Sequence, residues 1–153
     1  MTGARLTSVL TISKADINLN QNTILIKNHK SNRTYTGFIH PKYKGLLEER
    51  MKTLSPIDYI VSGNSKELHR TSVSKALQPL LNDLFNQGPN TDDRKRRVVV
   101  HTLRHTFASL LAIDGVPIYT IKKLMDHSEI EQTMRYAKLQ PDAGSEAVAK
   151  LKI

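Results

Sequence analysis

No cysteine occurs among the 153 residues. A disulfide framework, a thiolate-held zinc and a cysteine nucleophile are therefore excluded, and the fold must stand on packing alone. With 39% hydrophobic residues the chain is too apolar to be disordered and is long enough for one domain with a real core. No run approaches the roughly 18 consecutive apolar residues of a membrane span, and Met1-Thr2-Gly3-Ala4-Arg5 lacks the apolar core of a secretory signal. A soluble, intracellular protein is expected. The 23 Lys+Arg against 14 Asp+Glu leave a formal net charge of +9. Such a surface attracts polyanions, nucleic acid first and an anionic membrane second.

Periodicity changes along the chain. Leu6, Val9 and Leu10 are spaced for a short helix over Arg5 to Ile12. Asp16 to Leu19, Thr23 to Ile26 and Arg33 to Ile39 are short, β-branched or aromatic runs, with Asn20, Asn22 and the polar stretch Asn28 to Asn32 between them. They predict a small antiparallel sheet whose hairpin tip carries Lys30. After Pro41, Leu46, Leu47 and Met51 suggest an amphipathic helix, and Tyr59-Ile60-Val61 a buried strand. Val73, Ala76, Leu77, Leu80, Leu81 and Leu84 form the clearest helical stripe. A loop from Asn86 to Arg97 holds Gly88, Pro89 and the run Arg94-Lys95-Arg96-Arg97. Further helices are expected from His101 to Asp114, Ile118 to Met125 and about Glu129 to Lys138, with a short tail helix after Pro141. The fold class is α+β, mainly helical, with a small three-stranded antiparallel sheet.

Chemistry concentrates on the helix that begins at His101. At about 100° per residue, His101, Arg104, His105 and Ala108 share one arc, opposite Leu103, Phe107 and Leu110. A guanidinium fork binds two oxygens of a phosphate, and an imidazole beside it moves protons near neutral pH. The pairing suits phosphate-ester chemistry, although a bare His-x-x-Arg is more often a solvated polar face. A zinc site on His101, His105 and His127 is opposed by Thr102, which stands where a metalloprotease carries its glutamate base, and by the fixed cation of Arg104. The glycines are scattered, so no phosphate-binding loop is indicated. A helix-turn-helix over Ala112 to His127, turning at Gly115, would make the chain a DNA-binding module without catalysis. His29, His40 and His69 have no partner motif.

Three ordered runs carry a resemblance: His101-Thr-Leu-Arg104-His105-Thr-Phe-Ala-Ser109, Leu124-Met-Asp-His127-Ser128 and Thr133-Met-Arg-Tyr136-Ala137. With steps of 23 residues from Arg104 to His127 and 9 more to Tyr136, they resemble the C-terminal motifs of the tyrosine recombinases, in the phage-integrase branch. Thr2-Gly3-Ala4-Arg5-Leu6 is similar to that family's first-arginine motif. The resemblance covers almost the whole chain. One departure is Ser8, where an acidic residue commonly follows the first arginine.

The resemblance implies a site-specific DNA recombinase that cleaves and rejoins strands through a 3′-phosphotyrosine on Tyr136, without metal, ATP or another cofactor. It implies that Arg5 and Arg104 clamp the non-bridging oxygens, that His101 assists proton transfer, and that His127 donates a hydrogen bond to the phosphate. Lys30 would protonate the departing 5′-oxygen, with Lys27 as the competing candidate. His105 is expected to be structural. The partner would be double-stranded DNA, in the cytoplasm of a bacterial host, with a homotetramer on DNA, a monomer in its absence, and no membrane. Residues 1–153 would form a catalytic domain, N-terminally truncated and lacking the core-binding domain that family members carry. The tail 141–153, with Ala147, Val148 and Leu151 at near-helical spacing, would pack against a neighbouring subunit.

Overall fold

Alternation along one strand organises the sheet. In the computed structural model, which describes residues 2–88, 96–142 and 144–150, β2 (Thr23–Asn28) buries Ile24, Ile26 and Asn28 and exposes Leu25 and Lys27. It pairs antiparallel with β1 (Ile17–Asn18), Ile17 opposite Ile24, and with β3 (Arg33–Phe38), Ile24 opposite Gly37 and Asn28 opposite Arg33. The strand order is β1-β2-β3, in the small three-stranded antiparallel sheet that the sequence predicts. Asn22 and Asn32 take left-handed backbone conformations, which asparagine tolerates in turns. Gly37 is required by close approach, because a Cβ there would lie 2.6 Å from Ile26 Cδ1. Ile12, Ile24, Ile26 and Ile39 form a buried cluster against which Ala4, Leu47 and Ile60 pack. Each such side chain contributes about 1.5–3 kcal/mol of burial.

The chain divides into two compact units, residues 1–107 and 108–153. In the first, α1 (Leu6–Leu10) precedes the sheet, and α2 (Lys44–Lys52) and α3 (Arg70–Phe85) follow it. The helix α4 (Val100–Ile113) begins there. The second contains α5 (Ile118–Met125), α6 (Glu131–Met134), a 3-10 turn over Ala137–Leu139 and α7 (Gly144–Ala149). Its buried residues include Ala108, Ala112, Ile121, Met125, Thr133 and Tyr136. Among the described residues no helix is long and apolar enough to cross a membrane.

Four sequence expectations are corrected. Tyr59-Ile60-Val61 is a turn with a single bridge from Tyr59 to Ser13, because the Arg50 guanidinium takes the Ile60 and Val61 carbonyls at 2.9 and 3.3 Å. The stripe on α3 is helical, but Leu81 is buried while Leu80 and Leu84 are more than half exposed. On α4 the buried line is Arg104, Ala108 and Ala112, and Leu103 and Leu110 face outward. The stretch Glu129 to Lys138 is not one helix: α6 stops at Met134, and the amide of Tyr136 bonds the Thr133 carbonyl three residues back, tightening the chain into a turn. Arg94, Lys95 and Leu151, and the side chain of Ala147, lie outside the described residues.

Candidate active site

Arg5 caps the N-terminus of α1 in extended conformation, two residues after Gly3, whose φ of 60° suits glycine. The Gly3 carbonyl accepts a 2.5 Å hydrogen bond from Nη1 of Arg104. That contact joins positions 101 residues apart and satisfies one N–H of an α4 residue that is only 6% exposed. The small side chains of Ala108 and Ala112 follow on the same buried line. Arg5, His101 and Arg104 line one open cavity of about 610 Å³, walled by Leu6, Val9, Leu77, Leu103 and Phe107. Arg70, at the start of α3, lines it too. Nothing in the sequence distinguishes Arg70 from other surface arginines; only the fold brings it to the cavity.

His101 is exposed and meets His105 edge to face, with ring centroids 4.7 Å apart and planes at 89°. No group of three His, Cys, Asp or Glu residues that could hold a metal ion occurs among the described residues. Ser8, at the position where the family pattern has an acid, is 2% exposed within α1.

The hairpin between β2 and β3 turns over residues 29–32, and Lys30 sits in that turn, exposed. Lys27 lies instead within β2, opposite Thr34. The Lys30 amide donates to Oδ1 of the buried Asn28 at 3.0 Å. Lys30 does not line the cavity that Arg5, His101 and Arg104 share.

In the second unit, α5 ends on Asp126 in a left-handed conformation, φ 49°. This turns the chain so that the His127 amide reaches back to the Lys122 carbonyl. Nδ1 of His127 lies 2.9 Å from Oγ1 of Thr133, a residue with no exposed surface. The tautomer in which Nδ1 accepts from the threonine hydroxyl is the one that carries its proton on Nε2. Thr133 opens the third motif run, but nothing in that run marks it as the partner of His127 six residues earlier. Tyr136 follows α6 in the turn and is 4% exposed.

Comparison with known proteins adds a family. A model described as the phage integrase family matches residues 1–142. The chain is 28% identical over 141 residues to tyrosine recombinase XerA of Saccharolobus solfataricus, covering 92% of this chain and 43% of that protein. It spans about half the length, or less, of the curated relatives that it matches along most of its extent. The catalytic domain of bacteriophage HP1 integrase superposes over 99% of this chain and 76% of that one, at a TM-score of 0.65 and 26% identity. The XerH site-specific recombinase, solved on its difH substrate, shares the fold at a TM-score of 0.69 and 21% identity, over 97% of this chain and 42% of that one.

Proposed function

Because the chain belongs to the phage integrase family, we propose that it cleaves and rejoins double-stranded DNA by transesterification through Tyr136. The observation that carries this reading is the convergence of Arg5, His101 and Arg104 on one open cavity, although nearly a hundred residues separate the first from the others. Two guanidiniums directed at one phosphate stabilise the charge that builds on a pentacoordinate phosphorus, the work a metal ion does elsewhere.

Oη of Tyr136 bonds to phosphorus while the P–O5′ bond breaks, His101 takes the phenolic proton, and Lys30 gives a proton to the leaving O5′. His127 donates from Nε2 to a non-bridging oxygen, held in that tautomer by Thr133. The phosphodiester energy is kept in the tyrosyl ester, so a 5′-hydroxyl of another strand reverses the step without ATP. Recombination at a specific site, assembly as a tetramer on DNA and action in a bacterial cytoplasm belong to the same reading, and the +9 charge favours the DNA partner.

The test is covalent capture. The chain is incubated at low salt, with and without EDTA, with nicked suicide duplexes randomised across the cleavage region, and a denaturing gel is read for a protein–DNA adduct. An adduct that Tyr136→Phe abolishes is the expected result. An adduct that survives Tyr136→Phe, or that the chelator prevents, overturns the reading.

A further inference from the structure

His29 belongs to no motif, yet the fold gives it a partner. Nε2 of His29 lies 2.7 Å from Oγ1 of Thr11, the residue that ends α1. The Thr11 hydroxyl also reaches the carbonyls of Ser8 and Thr7 at 3.3 and 3.4 Å, so the imidazole is tied to the helix end itself. Arg5 caps the other end of that five-residue helix, about 9 Å away at 1.5 Å per residue. Lys30 is the next residue after His29, and its own amide is held by Asn28 on the other side. The turn that carries Lys30 is thus pinned at one point to the sheet and at another to the element that presents Arg5.

We propose that His29 is a positioning residue for Lys30, holding the hairpin tip on α1 so that the Lys30 ammonium meets the 5′-oxygen of the phosphate that Arg5 clamps. This rests on the reading of Lys30 as the general acid. An exposed lysine has a flexible four-carbon stem, and only its backbone can be fixed in advance. The His29–Thr11 bond fixes that backbone relative to Arg5. His29 itself transfers no proton and touches no substrate.

A bridging sulfur separates this role from a general loss of structure. When the 5′-bridging oxygen is replaced by sulfur, Oη of Tyr136 still bonds to phosphorus, but the P–S bond breaks to a thiolate that leaves without a proton. Any variant that damages only the acid step therefore recovers on the sulfur substrate. The duplex recovered by covalent capture is synthesised in both forms, and adduct formation is timed for the wild-type chain, Lys30→Ala, His29→Ala, His29→Gln and Thr11→Val. On the oxygen substrate Lys30→Ala is expected to be about 100-fold slower, and His29→Ala and Thr11→Val about 10-fold slower. On the sulfur substrate all three should approach wild type. His29→Gln, whose amide can still bond a hydroxyl, should recover part of the rate on oxygen.

If His29→Ala is as fast as wild type on oxygen, or equally slow on both substrates, the inference is overturned while Lys30 keeps its role. If Lys30→Ala is not restored by sulfur although the wild-type chain cleaves it, the role of Lys30 falls and the inference falls with it. A wild-type chain that forms no adduct on any duplex overturns the transesterification reading itself.

Discussion

Arg104 shows how much a single residue carries in this chain. Its guanidinium is buried and bonded to the Gly3 carbonyl, so the same side chain holds the first-arginine segment to α4 and faces the cavity. Removing it should cost both functions. Arg104→Ala is expected to lower stability by about 1.5–3 kcal/mol, the scale of a hydrogen bond to a charged group, as read by denaturant unfolding, and to abolish adduct formation. Arg104→Lys keeps the charge but loses the planar fork, so it should fold yet cleave at least about 100-fold more slowly. Thr133→Val is a subtler test. It nearly preserves shape in a fully buried position while removing the bond to Nδ1 of His127. Slower cleavage with unchanged DNA affinity is expected, and unchanged cleavage would show that His127 needs no such partner.

At the scale of elements, β2 is the strand on which the first unit is built. Ile26→Ala empties a position with no exposed surface and is expected to cost about 2–5 kcal/mol. Gly37→Ala presses a methyl onto Ile26 and should cost about 1–3 kcal/mol. The turn at Ser55 depends on pH. The Ser55 hydroxyl and amide both donate to the Asp58 carboxylate, at 2.7 and 2.8 Å, and together they hold its pKa below the usual carboxylate value. The bonds are therefore fully in place above the ordinary Asp range and are lost as pH falls through the lowered value. Protection of the Ser55 amide, measured as exchange relative to the intrinsic rate at each pH, should fall only in acid, and Asp58→Asn should remove that pH dependence.

Elements also divide what was legible in the sequence from what was not. The sheet, its turns and the bounds of α5 could be read because alternation, asparagine turns and helical spacing are local signals. The packed face of α4 could not, because Arg104 on it bonds a carbonyl 101 residues away. Nor could the turn at Tyr59 to Val61, whose carbonyls are taken by Arg50, or the early end of α6. The motif spacings picked out Arg5, His101 and Arg104, which the fold brings to one cavity. Nothing in them pairs Thr133 with His127 or Thr11 with His29, contacts that the fold makes.

For the whole molecule, the net charge of +9 makes DNA affinity a matter of counterion release. Affinity should fall linearly on a log–log plot against salt, with a slope of about 0.9 per phosphate neutralised. Arg70→Ala, at the cavity wall, is expected to reduce that slope by about one unit and to weaken binding alike on all sequences. Cleavage should be indifferent to chelators, whereas a metal-dependent hydrolase would stop. The most direct measurement is the chemistry of the covalent bond. The adduct is digested with trypsin and nuclease, the modified peptide is sequenced by mass spectrometry, and the released strand is tested with polynucleotide kinase. A nucleotide 3′-phosphate esterified to Tyr136, with a 5′-hydroxyl that accepts label at once, is the predicted result. A linkage at another residue, or a released 5′-phosphate, would contradict the account.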